Sequence, residues 1–143
     1  MNKNKEFIDN LITDILKAKH QQIACNIKIM ITKEDIEKIN KYIKKRGITL
    51  HRLMSALLRE YAEDKETKSE CLKHMPMEYT PKCVSPKVLH MSRDFFNLLA
   101  LESKKISIDK AAMLRTLILL CVNEKVKFKS DEVISAIIFE RII

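Results

Sequence analysis

The stretch Asn26-Ile27-Lys28-Ile29-Met30-Ile31-Thr32-Lys33-Glu34-Asp35-Ile36 changes its period half way along. Up to Ile31 the period is two: Ile27, Ile29 and Ile31 share one face, Asn26, Lys28 and Met30 the other. β-Branched residues in strict alternation predict a half-buried strand. From Thr32 the period becomes helical. Thr32 suits an N-cap, where a hydroxyl accepts an amide proton that the first turn leaves unpaired, and Asp35 places an acid near the positive end of the helix dipole. Ile36, Ile39 and Ile43 then recur on one side, with Lys38, Lys41, Lys44 and Lys45 outside. This helix is expected to end at Gly47, the chain's single glycine, where a left-handed backbone is wanted. Thr49 is expected to cap a second helix with Leu53, Ala56, Leu57 and Tyr61 on its inner face. The unit is strand, helix, tight turn, helix.

Shifting the chain by sixty residues lays 26–64 on 86–124 without a gap. Ile29 and Ile31 meet Leu89 and Met91; Thr32-Lys33-Glu34 meets Ser92-Arg93-Asp94; Ile36 and Ile39 meet Phe96 and Leu99. Lys44-Lys45 meets Lys104-Lys105, Leu53-Met54 meets Met113-Leu114, and Leu57-Leu58 meets Leu117-Ile118. The match is of pattern more than identity, and it predicts a duplicated unit. In the second copy Val88-Leu89-His90-Met91 forms the strand after Pro86. Ser92 caps a helix through Phe96, Leu99 and Ala100, and Asp109 caps one that carries Met113, Leu117 and Cys121. Ser107 stands where the first copy has glycine, so a somewhat different helix ending is expected there.

A lone strand leaves its backbone donors and acceptors unpaired, so each strand needs a partner. Two copies supply one another's. The run from Ile27 to Ile36, continued by Lys45-Arg46-Gly47-Ile48-Thr49 and Leu53, resembles the ribbon-helix-helix superfamily of the MetJ/Arc type. Val88-Leu89-His90-Met91-Ser92-Arg93-Asp94, with Ile108-Asp109 and Met113, resembles it more weakly. The resemblance implies a mainly α fold with one short two-stranded antiparallel ribbon. It also implies sequence-specific binding of double-stranded DNA, with the ribbon in the major groove. Outward strand residues would read base edges: Asn26, Lys28 and Met30 from the first copy, Val88 and His90 from the second, with Pro86 at the remaining position. The N-termini of the second helices would face phosphates, at Thr49, Leu50, His51 and Arg52, and at Lys110 and Ala111 beside an ill-placed Asp109. A transcriptional regulator is the expected role, with an accessory protein of plasmid transfer or partition as the alternative. A protein-interaction module, antitoxin-like or for assembly, is the reading from another class. The two copies are unlike, which favours their pairing within one chain as a pseudo-dimer with an asymmetric site.

Composition agrees with this direction and closes others. Of 143 residues, 27 are basic and 19 acidic, a formal charge of +8, with 46% hydrophobic and 32% charged. One glycine excludes glycine-rich phosphate cradles and nucleophile elbows; three prolines leave too few turn residues for a sheet-rich fold. Aromatics at 6%, with no Trp, argue against stacking platforms for single strands. No apolar run is long enough for a membrane span, and the opening residues do not read as a signal peptide, so a cytoplasmic, intracellular chain with reduced cysteines is expected. Cys71, His74, Cys83 and His90 are the one candidate metal constellation. Their spacing is not a paired knuckle and His90 is claimed by the strand, so neither metal nor other cofactor is expected. No orienting group accompanies a Cys–His pair, and neither an enzyme nor a small-molecule substrate is expected.

Each reader also has a plainer reading. Lys28 suits any solvated strand face, and Lys44-Lys45-Arg46 suits a helix C-terminus. Met30 is unusual on a solvated face and suggests a contact surface. Outside the two units, 1–24 is read as an N-terminal amphipathic helix with Phe7, Ile8, Leu11, Ile12, Ile15 and Leu16 on one stripe. Residues 65–85 read as a polar linker, and 125–143 as an apolar C-terminal helix capped by Ser130. That last helix is expected to pack on the body, with self-association through the terminal helices as the other outcome.

Overall fold

The alternating run does form a strand, β1 (Cys25–Ile31), in which Ile27, Ile29 and Ile31 are buried while Asn26, Lys28 and Met30 are exposed. The computed structural model describes residues 25–75 and 77–130, so the expected N-terminal helix and the apolar run from 131 to 143 lie outside the described residues. β1 pairs antiparallel with β2 (Ser85–Met91), giving a two-stranded sheet. Lys28 faces Val88, Asn26 faces His90 and Met30 faces Pro86. Lys28 and Val88 are also the residues equated by the sixty-residue shift, so the two strands pair about a shared midpoint.

Thr32 caps α1 (Lys33–Arg46), its hydroxyl accepting the Asp35 amide at 3.1 Å, and Ser92 caps α4 (Arg93–Lys105) by accepting the Phe95 amide at 3.2 Å. Gly47 ends α1 with φ 62° and ψ 32°. Ser107, where a different ending was expected, adopts the same left-handed backbone at φ 55°. The hydrogen bonds match as well: Gly47 to Lys44 and Ile48 to Ile43 in one unit, Ser107 to Lys104 and Ile108 to Ser103 in the other. Serine yields here because Ile48 and Ile108 are both drawn partly into the core at this turn.

The second helices are α2 (Leu50–Glu63) and α5 (Lys110–Val122). They pack on each other, while α1 lies against α5 and α4 against both α2 and α5. Sequence periodicity assigns α5 one inner face of Met113, Leu117 and Cys121. In the fold Leu114, Thr116, Ile118, Leu119 and Leu120 are buried too. A helix touching β1, α1, α2 and α4 has almost no side left for solvent, which is why its sequence is apolar nearly all round.

Two further departures concern the segments after each unit. Residues 65–85, read as a polar linker, begin as α3 (Lys65–Leu72), packed on α2, with Thr67 and Cys71 buried. Asp64 starts it by accepting the Glu66 and Thr67 amides at 3.0 and 3.2 Å. After α5, Val126 and Phe128 are buried and close the core. Ser130 does not act as the expected cap: the chain is already helical at Lys129, and the Ser130 amide and hydroxyl both donate to Glu60 of α2, each at 2.6 Å.

Candidate nucleic-acid interface

The ribbon turns its inner face, Ile27, Ile29, Ile31, Leu89 and Met91, into the core. Period-two geometry then forces every other residue outward. Asn26, Lys28, Met30, Pro86, Val88 and His90 are all exposed and stand as three opposed pairs on one surface. Met30 and Val88 are large apolar side chains left 40% and 48% exposed. Among the described residues the side chains of Asn26, Lys28 and His90 enter no hydrogen bond or ion pair, so their donors and acceptors face solvent. The sequence-assigned readers are therefore brought together by the pairing of β1 with β2.

The helix N-termini are less alike than the two strands. Thr49 Oγ1 accepts the Arg52 amide at 3.1 Å, and His51 and Arg52 are exposed on the first turn of α2, with Leu50 half-buried. The His51 ring lies 6.4 Å from Phe95 of α4. At α5, Asp109 holds the N-cap position without accepting any amide through its side chain, contrary to the cap expected of it. The Asp109 residue is exposed. Lys110 and Ala111 are half-buried, and the Lys110 ammonium lies 5.5 Å from the Phe96 ring centre. Within the basic run 44–46, Arg46 stacks on the Tyr42 ring at 3.5 Å, a contact within α1.

Two residues that periodicity did not single out brace the ribbon. Arg115 of α5 donates from Nη1 to the Met30 carbonyl at 3.1 Å, and its guanidinium lies 4.5 Å from the Tyr79 ring centre. The Tyr79 hydroxyl accepts the Thr32 amide at 2.9 Å and donates to Asp35 Oδ2 at 2.6 Å. The turn from β1 into α1 is thus clamped by the connection and by the other unit's second helix. Tyr79 sits in a polar segment without period, where nothing local marks it. The one trace of Arg115 is that its counterpart at the sixty-residue shift is Ser55.

The candidate metal ligands are dispersed. Cys71 is buried, its thiol pushed up to about 12 by burial and then by nearby Glu60 and Glu70; Cys83 is exposed, and His90 lies on the ribbon face. Among the described residues no three His, Cys, Asp or Glu side chains come together as a metal site, and no helix is long and apolar enough to cross a membrane. Comparison with family models, with curated proteins and with solved structures finds no match to this chain.

Proposed function

We propose that the chain is a ribbon-helix-helix protein whose two units pair as an intramolecular pseudo-dimer and present the ribbon to the major groove of double-stranded DNA, as a transcriptional regulator. The observation that supports this best is the outward ribbon face, where Asn26, Lys28 and His90 are exposed and have no side-chain hydrogen-bond partner among the described residues, beside exposed Met30 and Val88. Asn pairs with the N6 and N7 edge of adenine, Lys donates to guanine, and apolar side chains cover the thymine methyl. Phosphates would sit at the starts of α2 and α5, near Thr49, Leu50, His51 and Arg52, and near Lys110 and Ala111, where first-turn amides favour an anion.

Duplex binding measured against salt tests the proposal. Specific binding should weaken steeply as salt rises, because phosphate contacts release counterions. Lys28→Ala should cost about 1–3 kcal/mol on the preferred duplex and relax selectivity, with a much smaller loss on random duplex. An equal loss on every sequence would reduce Lys28 to a phosphate contact. If the double change Asn26→Ala with Lys28→Ala left specific binding intact, the ribbon would not be the reading element. The exposed pair Met30 and Val88 favours one rival, a protein partner on the same face; that reading predicts no salt-sensitive duplex binding at all.

A further inference from the structure

The antiparallel register divides the ribbon by end, not only by strand. At one end Asn26 faces His90, two side chains that donate and accept hydrogen bonds. At the other end Met30 faces Pro86, neither of which can do so strongly. Lys28 and Val88 make the middle pair. In a ribbon built from two identical strands the ends would be equal, each carrying one residue from position 26 and one from position 30. Here the substitution of Pro86 for the asparagine, and of His90 for the methionine, collects the polar side chains at one end and the apolar ones at the other. Among these six residues none is acidic and Lys28 is basic, which with the chain's charge of +8 suits an anionic occupant.

Resting on the DNA reading above, we infer that the ribbon is polarised. Its Asn26–His90 end makes hydrogen bonds to purine edges, and its Met30–Pro86 end makes apolar contacts with thymine methyl groups. The outer pairs are four residues apart along each strand, about 13 Å, or roughly four base-pair steps at about 3.4 Å each. The preferred site is then non-palindromic. One side depends on purine N7 and exocyclic groups; the other, about four steps away, depends on thymine C5-methyls.

The test is selection of duplexes from a random pool by the full chain, followed by atom-level substitution in the selected site. 7-Deaza-adenine in the purine half should weaken binding about 5- to 150-fold, the range of one bidentate contact. Uracil for thymine in the other half should weaken it about fourfold, the effect of one buried methyl. Each penalty should vanish in one variant only: the first in Asn26→Ala, the second in Met30→Ala. Both positions are exposed and outside the core, and an unchanged thermal melt checks that each variant is folded. A palindromic consensus, or equal uracil penalties in both halves, overturns the polarity while leaving DNA binding in place. Failure to enrich any duplex overturns the DNA reading itself.

Discussion

Gly47 and Ser107 occupy the same turn in the two units, and both hold a left-handed backbone, with φ of 62° and 55°. For a residue with a Cβ that conformation costs about 1–2 kcal/mol, and glycine escapes it. A Cβ added at Gly47 would meet nothing within 4 Å, so Gly47→Ala loses only the backbone term, about 1 kcal/mol. Ser107→Gly should gain about 0.5–1 kcal/mol, since the greater freedom of glycine in the unfolded chain offsets part of the relief. Urea midpoints with an unchanged slope measure both. Shifts of opposite sign are expected, and shifts of the same sign would mean that the two turns are not equivalent. This is also where reading by residue type reaches its limit. A glycine after a lysine-rich helix announces its backbone, whereas a serine has no left-handed preference to announce. The geometry at Ser107 is imposed from outside, by the Ile108 amide donating to the Ser103 carbonyl at 3.1 Å and by burial of the side chains around it.

Glu60 shows what an element needs beyond its own periodicity. It lies on α2 among buried residues, and its carboxylate accepts from Thr67 Oγ1 at 2.6 Å, the Lys129 amide at 2.9 Å, and the Ser130 amide and hydroxyl. One side chain therefore ties α2 both to α3 and to the segment that follows α5. Burial opposes its charge, but the hydrogen bonds from Ser130, Thr67 and Lys129 outweigh that and lower its pKa. A lowered folded-state pKa contributes stability that is complete above the unfolded value, about 4.3, and is lost as pH falls through the folded value. Glu60→Gln should therefore cost about 1–3 kcal/mol at pH 7 and show a flatter loss of stability below about pH 4.3. Chemical denaturation of both proteins across pH 2.5–7, roughly spanning the carboxylate range, reads this directly. Parallel pH curves would show that Glu60 is not the group responsible. The strands, α1, α2, α4 and their caps at Thr32, Thr49 and Ser92 were legible because each announces itself within a few residues. The helix α3 was not, because its polar sequence shows no helical stripe: beyond the local Asp64 cap it is held by Thr67 buried against Glu60 and by the Lys68–Glu102 ion pair at 3.2 Å, which reaches across the fold. The outward residues of the ribbon were legible by alternation alone, while Tyr79 and Arg115, which fix the end of that ribbon, became visible only once the chain had folded.

At the scale of the whole molecule, the consequential feature is that neither unit encloses a core of its own. β1 pairs with β2, α1 lies on α5, α4 reaches α2, and α5 sits among elements of both units. Taken alone, the first unit would leave Ile27, Ile29, Ile31 and the inner face of α2 without the partners that now bury them. The same core can be completed within one chain or by a second chain, and the two cases differ in their response to concentration. An intramolecular fold unfolds at a urea midpoint that does not depend on protein concentration. If β1 paired with the β2 of another chain, a hundredfold increase in concentration would add about 2.7 kcal/mol to the apparent stability. With a urea slope of about 1–3 kcal/mol per molar, that would raise the midpoint by about 1–3 M. Midpoints at about 1 and 100 μM, a hundredfold range over which the linkage term is large, should therefore coincide. A rise on that scale would transfer the pairing to two chains, while each β1–β2 ribbon kept its unlike ends, because the register of Asn26 with His90 and of Met30 with Pro86 is the same whichever chain supplies β2.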